Sequence, residues 1–232
     1  MSDESLRRLE RRWQETGAVD DEAALLTERA RVGALDPERL RLAAYCGHPA
    51  AVLALGDAAE VGGEPLDEFL WGLFPLGERW LTVACGAAVE PVLEVAERVE
   101  GLREALALMA SAVAGWVSGS LDEHVPTGDF LVQSLLFELD ADVDTLEEAG
   151  DSEAWAARAR VARQGEAAYS ALVALLHGVS EGDYGAKVSA LHHEVADALA
   201  TTLPEGTPAP TSSSRAAVRE LVRIALLAAA LG

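Results

Sequence analysis

An acidic segment in the middle of the chain has carboxylates at the spacing of a calcium-binding loop. The first, third, fifth and twelfth places of an EF-hand loop are occupied by Asp140, Asp142, Asp144 and Asp151. The sixth place is Thr145, where the loop needs a glycine, and the twelfth lacks the longer Glu that binds calcium through both oxygens. The apolar residues between the carboxylates continue the helical periodicity of the preceding segment. We therefore interpret the segment as an acidic helix end, with calcium binding as the alternative.

A second group that could bind a metal consists of His192 and His193, with Asp197 one helical turn further and His177 on the preceding predicted helix. A zinc site on a helix uses ligands at i and i+4, whereas adjacent side chains point about 100° apart. We therefore expect the two adjacent histidines not to converge on one ion, and His193 and Asp197 to form a solvated pair. His177 lies near a predicted helix end, where an imidazole interacts favourably with the helix dipole.

The surroundings of the two cysteines, and the absence of the usual enzyme motifs, predict a protein without catalytic chemistry. Cys46 and Cys85 lie in apolar, Ala-rich surroundings, which predicts buried, reduced thiols. Cys46 and His48 flank Gly47, and we expect that turn to keep the imidazole away from the sulfur that it would have to activate. The motifs G-x-S-x-G, G-x-G-x-x-G and H-E-x-x-H and a P-loop are missing from the sequence. We predict that the protein is not an enzyme and binds no cofactor.

The charge of the chain limits the kind of partner. It has 39 acidic and 18 basic residues, a formal net charge of −21. Binding to nucleic acid depends on Lys and Arg side chains that neutralise phosphates, so direct nucleic-acid binding is disfavoured. A strongly acidic surface favours solubility and fast association with a basic protein.

Composition and turn residues predict an all-α fold. Ala, Leu, Arg and Glu dominate, and these are strong helix formers. Asp36 is a predicted N-cap with Pro37 in the first helical position, Gly47 ends that helix, and Pro49 begins the next. The same device recurs at Pro65, Pro75 and Pro91. The first hundred residues therefore read as short helical hairpins joined by tight turns.

A sequence repeat leaves a second architecture open for this region. The dipeptide Cys46-Gly47 recurs as Cys85-Gly86, 39 residues later. A period near 40 residues is typical of HEAT-type helical pairs.

The second half of the chain has longer predicted helices, over residues 102–117, 129–148, 152–177 and 187–203. The short connections between these helices favour an antiparallel bundle.

The C-terminus combines a predicted flexible linker, residues 204–214 (PEGTPAPTSSS), with a helix over residues 215–232. The last eight residues before Gly232 are apolar on all sides, so this end must be buried against some surface. It either docks on its own bundle or enters a groove of a partner. The candidate partner-binding residues are Val218, Leu221, Val222, Ile224, Leu227 and Leu231.

The N-terminal half contains a family resemblance. The string LDPERLRLAAYCGHPAAVLAL at residues 35–55, with SLRRLERRWQETGAVDDEAALLTERARVGAL before it, resembles a helical N-terminal module found in large paralogous sets of uncharacterised proteins from GC-rich bacteria. The segment GERWLTVACGAAVEPVLEVAERVEG is loosely similar to the helical pattern of those paralogues and of some helical immunity proteins. Neither resemblance supplies a catalytic residue, and the Cys-Pro-Cys segment of the relatives is missing here.

Together these observations predict an N-terminal helical module at 1–60, a helical bundle at 61–203, the linker at 204–214 and the C-terminal helix at 215–232. The charged N-terminus lacks the apolar core of a signal peptide, and no apolar run reaches the roughly 18 residues of a membrane span, so we expect a cytoplasmic protein. The expected function is non-enzymatic binding of another protein, of the adaptor, scaffold or immunity type, through the acidic surface, the C-terminal helix or both. The alternatives are a metal-dependent enzyme or metal sensor, and an acidic mimic of nucleic acid.

Overall fold

A computed structural model describes residues 2–97, 99–119, 129–203 and 210–231. Every regular element in these ranges is helical, which confirms the all-α prediction. The helices of the first half are α1 (Ser2–Thr16), α2 (Val19–Arg31), α3 (Pro37–Tyr45), α4 (Pro49–Leu55), α5 (Leu66–Trp71) and α6 (Glu78–Ala96). Those of the second half are α7 (Leu102–Ser118), α8 (Asp129–Ala149), α9 (Ser152–Glu181), α10 (Tyr184–Ser189), α11 (Ala196–Ala200) and α12 (Pro210–Leu231). A π-helical turn, Ala190–Val195, connects α10 to α11.

The predicted caps determine where the short N-terminal helices begin. The Asp36 side chain accepts a hydrogen bond of 2.9 Å from the backbone N–H of Glu38, and Pro37 occupies the first position of α3. Pro49 begins α4 in the same way. The Asp36 side chain satisfies a backbone donor that a helix start leaves without a partner, and each proline removes one such donor, so local chemistry is enough to place both helices.

The described residues form two compact units. The first contains Met1–Glu64, Glu68–Trp80 and Arg223–Gly232, and the second contains Pro65–Asp67 and Leu81–Val222, in each case as far as the chain is described. The three helices α5, α6 and α12 each contribute residues to both units.

A buried tyrosine organises the core of the first unit. The Tyr45 hydroxyl donates a hydrogen bond of 2.8 Å to the backbone carbonyl of Phe69, and the two rings lie 5.2 Å apart. Gly62 and Gly72 both contact the Tyr45 ring so closely that a Cβ atom would overlap it. Small residues are therefore needed wherever the backbone passes this ring.

The core of the second unit is formed around the long helix α9. Helices α7, α8 and α10 and the π-helical turn all pack against it. Asp142 contacts Arg158, and Gln133 donates to the hydroxyl of Tyr169, so α8 and α9 run antiparallel after the turn at Gly150. The fully buried side chains of this unit include Leu81, Leu102, Leu106, Met109, Leu172, Leu175 and Leu191.

Two sequence predictions about helix breaks are wrong. The helix α6 continues through Pro91, where we predicted a turn. Pro91 has no N–H to donate to the carbonyl four residues earlier, but the neighbouring Ala88 and Val92 are fully buried, and tertiary burial outweighs the lost hydrogen bond. Cys85 consequently lies inside α6, whereas Cys46 caps the end of α3, so the two Cys-Gly pairs do not occupy equivalent positions.

The C-terminal helix begins earlier than predicted. It starts at Pro210, so residues 210–214 of the predicted linker are helical, and residues 204–209 lie outside the described residues. Proline is favoured in the first turn of a helix, and that preference outweighs the polar composition of the segment that follows. Within the described ranges, no helix combines the length and the apolar character needed to cross a membrane.

We predict that Gly72→Ala lowers the free energy of unfolding by about 2–4 kcal/mol, because the new Cβ would lie 2.0 Å from the Tyr45 hydroxyl oxygen. Urea titration measures the loss. Tyr45→Phe alone should cost about 1–2 kcal/mol, because it removes the buried hydrogen bond from the Tyr45 hydroxyl to the Phe69 carbonyl. The double variant should lose less free energy of unfolding than the sum of the two single losses. The reason is that Tyr45→Phe removes the hydroxyl oxygen that the new Cβ of Gly72→Ala would overlap. If the two losses in the free energy of unfolding simply added, the close contact between position 72 and the Tyr45 hydroxyl would be contradicted. Gly63→Ala is the control and should cost less, because its Cβ would lie 2.8 Å from the movable carboxylate end of Glu68 and 3.1 Å from the Glu68 Cβ, without striking a buried ring.

We predict that neither thiol reacts with a disulfide reagent in the native protein. Cys46 and Cys85 are buried, and burial raises the pKa of Cys85 to about 12, although the charge of Lys187 opposes the shift. Thiolate is the reactive form, so both access and ionisation disfavour the reaction. When the protein is mixed with a chromogenic disulfide, absorbance from the released thiolate should rise slowly in native buffer. In denaturant the released thiolate should reach two equivalents per chain, one for each cysteine. Rapid native reaction of either cysteine would show that its surroundings open readily.

Candidate functional site

All charged residues on the exposed side of α8 are acidic. Every charged residue of this helix is a carboxylate: Asp129, Glu138, Asp140, Asp142, Asp144, Glu147 and Glu148. From Glu138 onward these side chains are all exposed, while Val132 and Leu139 on the opposite side are buried. The apolar residues thus fix α8 to its neighbours and direct the carboxylates outward.

A cleft of about 520 Å³ lies between α8, α9 and the turn before α7. Its apolar surface comes from Val99, Leu135 and Leu139, and its charged rim from Glu100, Glu138, Asp142 and Arg158. The volume falls within the roughly 300–1,000 Å³ range of ligand-binding pockets. An apolar floor within a charged rim is suited to an amphipathic ligand.

The rim of this cleft has an excess of negative charge. Among the described lining residues Arg158 is the one with a basic side chain, and its Nη2 lies 2.5 Å from Oδ2 of Asp142. Among the described residues, Glu100 and Glu138 have no cation within ion-pair distance. Two carboxylates beside an apolar floor therefore remain available to a positively charged ligand.

Sequence reasoning identified Asp142 but missed the other residues that form the cleft. Glu100 and Arg158 are distant from α8 in sequence, and only the packing of three segments brings them together. One local signal was available. Phe137 is a large apolar residue directly before Glu138, and it is 76% exposed.

The three aspartates proposed as calcium ligands do not form a loop. Asp140, Asp142 and Asp144 all lie within α8, which continues to Ala149, and Asp151 caps the start of α9 by accepting from Ala154. This arrangement agrees with the interpretation as an acidic helix end. Among the described residues, no three His, Cys, Asp or Glu side chains are grouped closely enough to hold a metal ion.

The adjacent histidines are arranged differently from our expectation. Nδ1 of His192 lies 3.3 Å from Nε2 of His193, and the rings make an edge contact with centroids 4.5 Å apart. The expected divergence assumed α-helical geometry, but both residues lie in the π-helical turn, which rotates less per residue. His193 and Asp197 are both exposed. His177 is not at a helix end, because α9 continues to Glu181.

The Cys46 and His48 side chains serve separate structural purposes. His48 caps α4, with Nδ1 accepting from the backbone N–H of Ala51 at 3.4 Å, while Cys46 is buried. The imidazole is thus directed toward the start of the following helix. This explains the role of a histidine at this turn without catalysis.

The predicted partner-binding residues of α12 fall into three classes. Val218 and Val222 are completely buried, and Leu221, Leu227 and Leu231 are partly exposed. Ile224 is 56% exposed. Two arginines of α12 also form contacts within the protein, since the Arg215 Nε lies 3.4 Å from the His192 carbonyl oxygen and the Arg223 Nη1 lies 3.5 Å from that of Cys46.

Several groups determine the protonation of His192. Burial of the ring is the main cause that lowers its pKa. The charges of Arg215 and His193 lower it further. The carboxylates of Asp67 and Asp197 act in the opposite direction.

We predict that His192 makes the protein less stable as the pH falls. The unfolded chain takes up this proton near pH 6.5, and the folded chain takes it up only at lower pH. Between these two values the unfolded state holds more protons, so the free energy of unfolding decreases with decreasing pH. Melting temperatures from about pH 8 to pH 5 should fall less for His192→Asn than for the natural chain. An unchanged pH dependence would show that the ring does not have this effect. His177→Asn, on an exposed surface, is the control.

In the comparisons with known proteins, no family model, no curated protein and no solved structure matches this chain.

Proposed function

We propose that this protein is a non-enzymatic binding protein whose acidic cleft between α8 and α9 accepts a basic, amphipathic segment of another protein. The observation that carries the proposal is the combination of an apolar floor with the carboxylates of Glu100 and Glu138, which have no ion-pair partner among the described residues. A ligand that is apolar on one side and positively charged at its edges would satisfy both features. An amphipathic helix that carries arginines is such a ligand.

The apolar part of the cleft would supply much of the affinity. Burial of apolar surface contributes roughly 25 cal/mol per Å² removed from water. Leu135 is half-buried at the floor, and Phe137 is exposed one residue before Glu138. A partner that extends beyond the cleft along α8 could cover Phe137, and aromatic residues are enriched at protein interfaces.

The carboxylates would supply orientation and speed of association. A chain with a net charge of −21 attracts basic proteins over a distance of about one Debye length, close to 8 Å in physiological salt. Exposed rim charges change association rates more than they change final affinity. Binding should therefore weaken as salt is added, with the larger effect on the association rate.

The cleft is better suited to this function than the C-terminal helix. Val218 and Val222 contribute to the interior of the protein, so a partner could contact them only after α12 had separated from its surroundings. The cleft is open without any rearrangement. Ile224 is the predicted α12 contact that a partner could reach most directly.

We predict that a synthetic helical peptide of about four turns, with leucines on one face and arginines on its flanks, binds the protein with micromolar affinity. Glu138→Gln should weaken binding roughly three- to tenfold, because it removes a negative charge from the rim. Arg158→Gln should strengthen binding by a similar factor, since it removes a cation from the rim and leaves the Asp142 carboxylate without this partner. Calorimetric titration measures each dissociation constant.

Two control variants make this experiment specific to the cleft. Asp140→Asn changes the net charge as Glu138→Gln does, but Asp140 lies on α8 outside the cleft lining. Equal weakening by both would indicate general electrostatic attraction and contradict a defined site. Ile224→Asp should leave the affinity for the peptide unchanged. If this variant lost peptide binding, α12 would be the binding element instead of the cleft. Complete absence of peptide binding would contradict the proposed function.

A further inference from the structure

A second, smaller pocket lies at the turn between α8 and α9. It has a volume of about 200 Å³ and is lined by Leu146, Glu147, Gly150, Asp151, Ser152 and Trp155. This is less than the roughly 300 Å³ minimum for pockets that take drug-sized ligands. A pocket of this size is suited to a single side chain.

The Trp155 ring forms an accessible aromatic surface in this pocket. Its side chain is 37% exposed, and among the described residues no cation lies over the ring. Trp80 shows how the same kind of surface is used elsewhere in the chain, because Arg79 lies over that ring with Cζ 4.4 Å from the centroid. Trp155 thus offers the interaction that Trp80 already makes.

The charge around Trp155 favours a cation. Glu147 and Asp151 line the pocket, and residues 140–153 contain no Lys or Arg. Asp151 accepts from the N–H of Ala154 at 3.1 Å through Oδ1, so its second oxygen can still interact with a ligand. The negative end of α8 and the positive end of α9 meet here and oppose each other, which leaves the carboxylates as the main charges.

We propose that this pocket binds one arginine side chain of the partner whose amphipathic segment occupies the cleft, an inference that rests on the proposed function. Arginine is the best match because its guanidinium is planar, weakly hydrated and able to stack on an indole while donating to carboxylates. A calcium ion would need six to eight oxygen ligands, more than these side chains provide.

The position of the pocket on α8 agrees with a single partner segment. Glu138, Asp142 and Leu146 follow each other at four-residue intervals, so they lie on one face of the helix. Glu138 lines the cleft and Leu146 lines the pocket, eight residues apart, which corresponds to about 12 Å along a helix. A partner helix of about four turns can span both sites.

The pocket can first be tested without a partner. The indole N–H signal of Trp155 in a ¹H–¹⁵N spectrum is assigned from its absence in Trp155→Phe and followed during titration with N-acetylarginine amide. We expect a saturable shift, at least three times weaker with N-acetyllysine amide, and no saturable shift with calcium chloride. Equal responses to both amides, saturation by calcium, or no arginine response would each overturn the assignment.

The second test uses the leucine–arginine peptide and a version whose terminal arginine is replaced by glutamine. Trp155→Leu should weaken binding of the first peptide five- to tenfold. It should leave binding of the second peptide unchanged, because that peptide lacks the arginine, and the resulting double-mutant cycle isolates this one contact. Trp71→Leu, at an exposed tryptophan of the other unit, is the matched control. If Glu138→Gln weakens binding and Trp155→Leu does not, the pocket proposal fails while the cleft stands. If neither peptide binds, the proposed function fails, and the amide titration still decides the pocket.

Discussion

The close packing of α8 on α9 is the constraint on which the candidate sites depend. At Gly165 of α9 a Cβ atom would lie 3.0 Å from Leu136 of α8 and 3.1 Å from Leu102 of α7, so the absence of a side chain lets the three helices approach. A larger residue would force these helices apart. Their approach fixes one side of α8 in the interior, and the helical period then places its carboxylates outside. The cleft and the pocket beside Trp155 are both consequences of this contact.

Most polar groups that could do chemistry serve the fold instead. His48 caps α4, Asp36 caps α3, and Asp151 caps α9. Gln164 is buried and donates a 2.9 Å hydrogen bond to the Thr201 carbonyl. Buried polar groups need such partners, since an unsatisfied one is costly. The carboxylates of α8 differ, because most of them face water, and a surface that the fold does not require is available for recognition.

Local features could be predicted from the sequence, and features that depend on distant residues could not. Asp36, Pro37 and Pro49 act on adjacent backbone, and the helices they begin were predicted correctly. Pro91 was misread because burial of the residues around it overrides a local signal. The π-helical turn had no recognisable pattern, so the contact of His192 with His193 was unexpected. The cleft combines residues from positions 99 to 158, and only its acidic side could be identified beforehand.

Photo-crosslinking tests most directly whether the cleft is a binding site. The leucine–arginine peptide would carry a benzophenone group on its apolar face, and the attachment points would be mapped by mass spectrometry. Binding in the cleft predicts crosslinks on residues 135–142 of α8 and near Arg158 of α9, and their loss in excess unlabelled peptide. Crosslinks concentrated on α12, or spread over both units without competition, would contradict a defined acidic cleft.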